Sequence, residues 1–260
     1  MEQSPLQQDR IETKRKVELA VQRAIPVVED TNLIAEGSAL TSQDVLSTRR
    51  MLEVINPPSP ETQKLYDHLW LSGTTAKKIG EKFQAQNPEE GVKLDLNELE
   101  ILGLLHDSGR LINHRWLRNE LIEGQMLGKI GIRKSLISQL PSLREYTGKN
   151  PADKPAVEKL VEDMTLQQKI ITMADFFSKR KPDGGIKTFD EVMDYHFQSR
   201  TNYEATTGIK PLWASERKLD RDVVEFGAEV YLRLNQWFLD KGVNLELVRE
   251  EILTEENKLE

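Results

Sequence analysis

Apolar positions recur at three- and four-residue steps along almost the whole chain, the spacing that turns one face of a helix toward a core. Over residues 11–28 they are Val17, Leu19, Ala20, Ala24 and Ile25, and Pro26 is predicted to break that helix. Residues 41–55 open on a capping signature, Thr41 or Ser42 ahead of Gln43 and Asp44, and stop at Asn56-Pro57-Pro58. Ser59-Pro60-Glu61 then opens a long helix, because serine caps free amides and proline suits the first turn. Its apolar face runs through Leu65, Leu69, Ser72, Ala76, Ile79 and Phe83.

A loop over 86–93, with Asn87-Pro88 and Gly91, precedes a leucine-rich helix over 95–105. Leu96, Leu99, Ile101, Leu102, Leu104 and Leu105 occupy most of its circumference, which predicts a central, buried helix. Gly109 is placed to end it in a left-handed cap. Residues 116–140 read as two helices around Gly128 to Gly131, and 146–155 as a polar loop. Residues 156–177 read as one helix with Val157, Leu160, Val161, Leu166, Ile170, Ile171 and Ala174 as core positions. A basic turn over 179–185 and helices over 190–203, 215–239 and 245–253 complete the chain. No strand-like alternation of useful length and no internal repeat is visible, so the predicted class is all-α.

Composition narrows this picture. The chain has 260 residues, 30% charged and 38% hydrophobic, enough for one substantial core with solvated helix faces. Its net charge of -7 argues against a surface that binds nucleic-acid duplexes, which needs positive charge to displace counterions. Without cysteine there is no disulfide framework, no thiolate nucleophile and no cysteine-ligated zinc. The first ten residues lack the apolar core of a signal peptide, and no apolar run approaches the roughly 20 residues of a membrane span. The expected location is cytoplasmic, with no membrane partner.

Four residues carry the candidate chemistry. His106-Asp107 ends the leucine helix, His68 lies on the helix before it, and Asp175 sits downstream in Ile-Ile-Thr-Met-Ala-Asp-Phe-Phe. A bare carboxylate in such apolar surroundings is costly unless paired or bound to a cation. Two imidazoles and two carboxylates converging on one point would hold a divalent metal with positions left for water and substrate. Taken singly, each residue also fits a bland role: a satisfied helix histidine, a helix-end cap, an ion-paired aspartate.

In this order the set resembles the H…HD…D signature of the HD-domain metal-dependent phosphohydrolases. His68-Leu-Trp-Leu-Ser72-Gly73 is similar to the family's first histidine followed by a small pair. Leu104-Leu105-His106-Asp107-Ser108-Gly109-Arg110 resembles its Leu-Leu-His-Asp-Ile-Gly-Lys, and Ala174-Asp175 its final Ala-Asp. The likeness covers residues 57–181, about half of the chain. It implies an HD-like helical bundle over 57–187, an N-terminal helical extension over 1–56 and C-terminal helices over 188–260 packing on the core.

The resemblance implies hydrolysis of a phosphoester or phosphoanhydride in a small phosphorylated metabolite, and family breadth favours a nucleotide. His68, His106, Asp107 and Asp175 would hold one divalent ion, among Mn, Mg, Co, Ni, Fe and Zn. Asp107 would also help deprotonate the attacking water. Arg110 stands where the family commonly has lysine and would bind phosphate, the fork of arginine matching its oxygens. His114 is either a proton donor to the leaving group or a surface histidine. Lys179, Arg180 and Lys181 are either a basic pocket rim, with Lys179 and Arg180 as substrate contacts, or a solvated turn. Glu120 and Glu123 either orient a histidine or water, or lie on an exposed helix face.

Only His114 adds a histidine between the His-Asp pair and Asp175, which favours one metal over two. The Gly-Tyr-Pro element of cyclic-di-GMP phosphodiesterases and the Glu-Asp doublet of alarmone hydrolases are absent. Trp213, Trp237, Phe226 and Tyr231 suggest close packing of the C-terminal helices on the core or in a homodimer, with base stacking by Trp213 as the rarer role. The alternative function is a non-catalytic HD-like signalling module that binds a ligand or partner. A di-iron oxygenase ranks last because it needs more ligands than this chain offers.

Overall fold

The computed structural model describes residues 5–90, 94–113, 119–140, 154–194, 220–256 and 258. Among them the elements are helices, with one isolated antiparallel bridge between Arg180 and Ile186, so the expected all-α class holds. No helix among the described residues is long and apolar enough to cross a membrane. The chain divides into two compact units, Met1–Gly73 with Leu94–Leu140, and Thr74–Lys93 with Pro141–Glu260.

In the first unit, α1 (Pro5–Val28) starts earlier than its apolar spacing suggests and runs through Pro26. Proline here removes one amide in the final turn, and the helix ends two residues later, so little is lost. Its buried stripe is Val17, Ala20, Ala24 and Val28, whereas Leu19 and Ile25 are exposed. The next helix, α2 (Ser42–Ile55), begins with the expected box: the Thr41 hydroxyl accepts the Asp44 amide, and Asp44 accepts the Thr41 amide. Helix α1 packs on α2, and α2 packs on α4 (Leu96–Leu105).

Ser59 caps a lead-in turn rather than a helix. Its amide donates to Thr62 Oγ1 at 2.9 Å, and α3 (Gln63–Gln86) starts only after that turn. Leu65, expected on the core face, is half-buried, and Tyr66 is the buried residue there instead. The Tyr66 hydroxyl reaches the carbonyls of Leu52, at 2.9 Å, and Asn56, which ties the start of α3 to the end of α2. Burial pushes that phenol above its ordinary pKa, so it remains a donor at any physiological pH.

The central position of α4 follows from its composition. Asp95 caps it by accepting the amides of Asn97 and Glu98 at 3.0 and 3.1 Å. Leu99, Ile101, Leu102, Leu104 and Leu105 are fully buried, each side chain stabilising the fold by about 1.5–3 kcal/mol relative to exposure. The exit differs from expectation. His106 keeps a right-handed conformation, and the chain tightens into a 3-10 turn over Ser108–Leu111 that buries Gly109 without a positive φ. Two further helices, α5 (Asn119–Ile130) and α6 (Lys134–Ile137), flank Gly131, whose φ of 95° needs a residue without Cβ.

The second unit contains α7 (Lys154–Asp163), α8 (Leu166–Phe177), α9 (Asp220–Asp240) and α10 (Leu245–Glu256), with α9 packed on the other three. The single helix expected over 156–177 is two. The break falls at Met164-Thr165, where Thr165 caps the new helix and exchanges bonds with Gln168. Trp237 stacks on Phe83 with centroids 5.7 Å apart, and Tyr231 lies 4.4 Å from Phe176. These two C-terminal aromatics thus pack inside their own unit. Trp213 and the side chain of Phe226 lie outside the described residues.

Candidate metal centre

His68, on the first half of α3, and His106, at the end of α4, face each other edge to face with ring centroids 5.1 Å apart. Asp107 follows directly, at the entry to the 3-10 turn. Its Oδ2 lies 3.5 Å from Nε2 of His68 and 3.7 Å from Nε2 of His106. One ligand atom from each of the three residues lies within 4.8 Å of the others. The structure therefore brings together three of the residues singled out from the sequence, all within the first unit.

The backbone explains why they meet. The His106 amide still bonds the Leu102 carbonyl at 3.0 Å, so the ring leaves the helix with its last turn intact. Asp107 then departs from helical geometry at φ -129°, ψ 17°, which turns its carboxylate back toward the two rings. The Asn56 side-chain amide donates to the Leu111 carbonyl at 2.8 Å and holds the far end of the turn against α2. Leu111 and Ile112 bury their side chains behind it.

The tautomer of His106 follows from one contact. Nδ1 lies 2.8 Å from the Gly103 carbonyl oxygen, which only accepts, so Nδ1 carries the proton and donates. Nε2 is then the nitrogen with the lone pair, the form in which histidine binds metals. Ligand atoms about 2.1 Å from a common ion stand roughly 3.0–3.4 Å apart, from the octahedral to the tetrahedral edge. The 3.5 and 3.7 Å separations are close to those edges. Two imidazole nitrogens and a carboxylate oxygen are a donor set that suits a first-row divalent ion.

Arg110 projects from the same turn and places its guanidinium 2.9 Å from Asp107 Oδ2. Its side chain is 43% exposed, against 14% for Asp107, so the cation sits on the solvent side of the cluster. Glu123 is buried, which removes the exposed-face alternative for it. His114 and the side chain of Glu120 lie outside the described residues.

Asp175 belongs to the second unit. It is two residues from the end of α8 and partly buried, and Lys179 Nζ lies 2.8 Å from its Oδ1. Arg180 grips Glu256 through both nitrogens, at 2.6 and 3.2 Å, and Lys181 pairs with Glu191 at 2.8 Å. The basic turn is thus laced to carboxylates of its own unit.

Sequence reasoning missed the part played by Gly103. An isolated glycine inside a leucine-rich helix is the available signal, since such a residue usually has a packing or functional reason. Comparison with protein-family models, with curated proteins and with solved structures finds no match to this chain.

Proposed function

We propose that the chain is a divalent-metal-dependent phosphohydrolase that cleaves a phosphoester or phosphoanhydride of a small phosphorylated metabolite. A nucleotide is the favoured substrate class, by the breadth of the family the sequence resembles. The observation that carries the reading is the locked His106 tautomer, which offers Nε2 toward Asp107 Oδ2 beside His68 Nε2. His68, His106 and Asp107 would hold the ion, and Asp175 enters as the fourth ligand on the resemblance. A bound divalent ion supplies an acidified water and neutralises charge developing on phosphate.

The remaining roles belong to the chain itself. Asp107 offers a second carboxylate oxygen to accept a proton from the attacking water. Arg110, on the exposed side of the cluster, is the residue assigned to the substrate phosphate. Lys179 and Arg180, paired with Asp175 and Glu256, are further candidates for that task. A cytoplasmic location accords with a chain that has no cysteine.

The test begins with metal analysis of the purified protein, followed by a nucleotide and phosphoester panel assayed with Mn, Co, Ni and Mg. The expected result is metal-dependent phosphate release that disappears in His106→Ala and Asp107→Ala, with helical content retained. A folded protein that takes up no divalent ion even in excess ends the enzyme reading in favour of a ligand-binding module.

A further inference from the structure

We propose that Gly103, set against Gly73, is a positioning residue for the metal site: the glycine contact between α3 and α4 fixes how closely His68 and His106 approach. The role toward a metal rests on the function proposed above, whereas the spacing of the two rings does not.

The contact is made by backbone. A Cβ on Gly103 would lie 2.7 Å from Gly73 Cα, 2.7 Å from the Ser72 carbonyl oxygen and 2.8 Å from the Ser72 carbonyl carbon. Ordinary van der Waals contact begins near 3.4 Å, and no flexible side chain is available to give way. The approach is reciprocal: a Cβ on Gly73 would meet the Glu100 carbonyl oxygen at 3.0 Å and Leu104 Cγ at 3.1 Å. Glycine within a helix is unfavourable relative to alanine, and its use in the last turn of α4 is explained by this close crossing.

The crossing sits beside both rings. His106 follows Gly103 by three residues, and Ser72, which the added Cβ would strike, follows His68 by four. One helical turn therefore connects the contact to each ligand on its own helix. The Gly103 carbonyl also accepts Nδ1 of His106, so the residue sets both the position and the tautomer of that ring. Relieving a 2.7 Å clash requires a backbone shift of several tenths of an ångström, whereas metal sites hold ligand distances to about 0.2 Å. A methyl group at this point is thus enough to spoil the ligand geometry.

The experiment compares Gly103→Ala, Gly73→Ala and Gly124→Ala with the parent. Gly124 is the control, since an added Cβ there meets nothing within 4 Å. Two readouts are taken: nuclear Overhauser contacts between the His68 and His106 rings in metal-free protein, and affinity for Mn2+. Gly103→Ala is expected to weaken the ring contact measurably and to bind Mn2+ about tenfold or more weakly, the scale of losses around metal ligands. Gly124→Ala should change neither. A folded Gly103→Ala protein that keeps the ring contact and the parental affinity overturns the proposal. If the parent binds no Mn2+, the metal reading fails by itself, and the ring contact alone supports or overturns the spacing role. Should Gly103→Ala not fold, Gly73→Ala decides on the same two readouts.

Discussion

The Arg110 guanidinium lies 2.9 Å from Oδ2 of Asp107, and this same oxygen faces the Nε2 atoms of His68 and His106 at 3.5 and 3.7 Å. A carboxylate oxygen carries two lone pairs, so it can serve a cation on each side. An ion pair as exposed as Arg110 contributes below about 1 kcal/mol, weak enough to be exchanged for a phosphate group. Arg110→Gln is therefore expected to leave thermal stability within about 1 kcal/mol of the parent. In the proposed reaction it should raise KM for the phosphorylated substrate roughly ten- to a hundredfold, with a smaller effect on kcat. Melting curves and steady-state kinetics check both halves, and an unchanged KM removes Arg110 from the substrate site.

Local signals in the sequence proved legible and tertiary ones did not. Asp95 ahead of a leucine run marks the start of α4, and Thr41 with Asp44 marks that of α2, because both caps are written within four residues. The start of α8 was equally local, in Thr165-Leu-Gln-Gln168, but the continuous apolar pattern around Met164 concealed it. Pro26 misled for a related reason: its effect depends on how many residues follow it in the helix, which spacing alone does not reveal. Within the candidate site, His106-Asp107 and His68 were visible as residue types on helices. The Gly73–Gly103 crossing depends on where α3 and α4 meet, and no short-range pattern encodes that. The Arg110–Asp107 contact spans only three residues, but it forms on a 3-10 turn where the sequence suggested a glycine cap.

Lys169 is buried on α8, with Nζ bonded to the Met164 carbonyl and 5.3 Å from the centroid of the Trp237 ring, which Lys241 also approaches at 5.9 Å. Burial depresses its pKa below the ordinary 10.5, against a smaller opposing effect from the Asp163 charge. Between the lowered folded value and 10.5 the unfolded chain binds more protons than the folded one, so this residue makes stability rise with pH across that window. Below the window the cost of burying the charge is constant. Lys169→Met keeps most of the volume and removes the charge. Urea melts from neutral to alkaline pH should show a variant at least as stable as the parent at neutral pH, with the alkaline rise diminished. An identical alkaline slope in both proteins would show that Lys169 is not the group responsible.

Asp44 presents the opposite sign. It is buried near the start of α2 and accepts four bonds: Thr41 N at 2.8 Å, Thr41 Oγ1 at 2.7 Å, Asn32 N at 2.9 Å and Asn32 Nδ2 at 3.1 Å. Burial alone would raise its pKa, but these donors outweigh it and hold the carboxyl below its ordinary 3.8. A depressed carboxylate contributes stability that is complete above the unfolded value and is lost as pH falls through the folded one. Because the bonds span Asn32 to Asp44, that loss loosens the connection between α1 and α2. Asp44→Asn turns one acceptor into a donor that faces other donors, so it should cost about 1.5–3 kcal/mol at neutral pH. The cost should shrink as pH falls below 3.8, where the unfolded chain takes up the proton first, until the folded parent's carboxyl is protonated at its lower value and the advantage is gone. Denaturant melts of both proteins at neutral and acid pH make the comparison, and a difference that stays constant with pH would assign the stabilisation to packing rather than to charge.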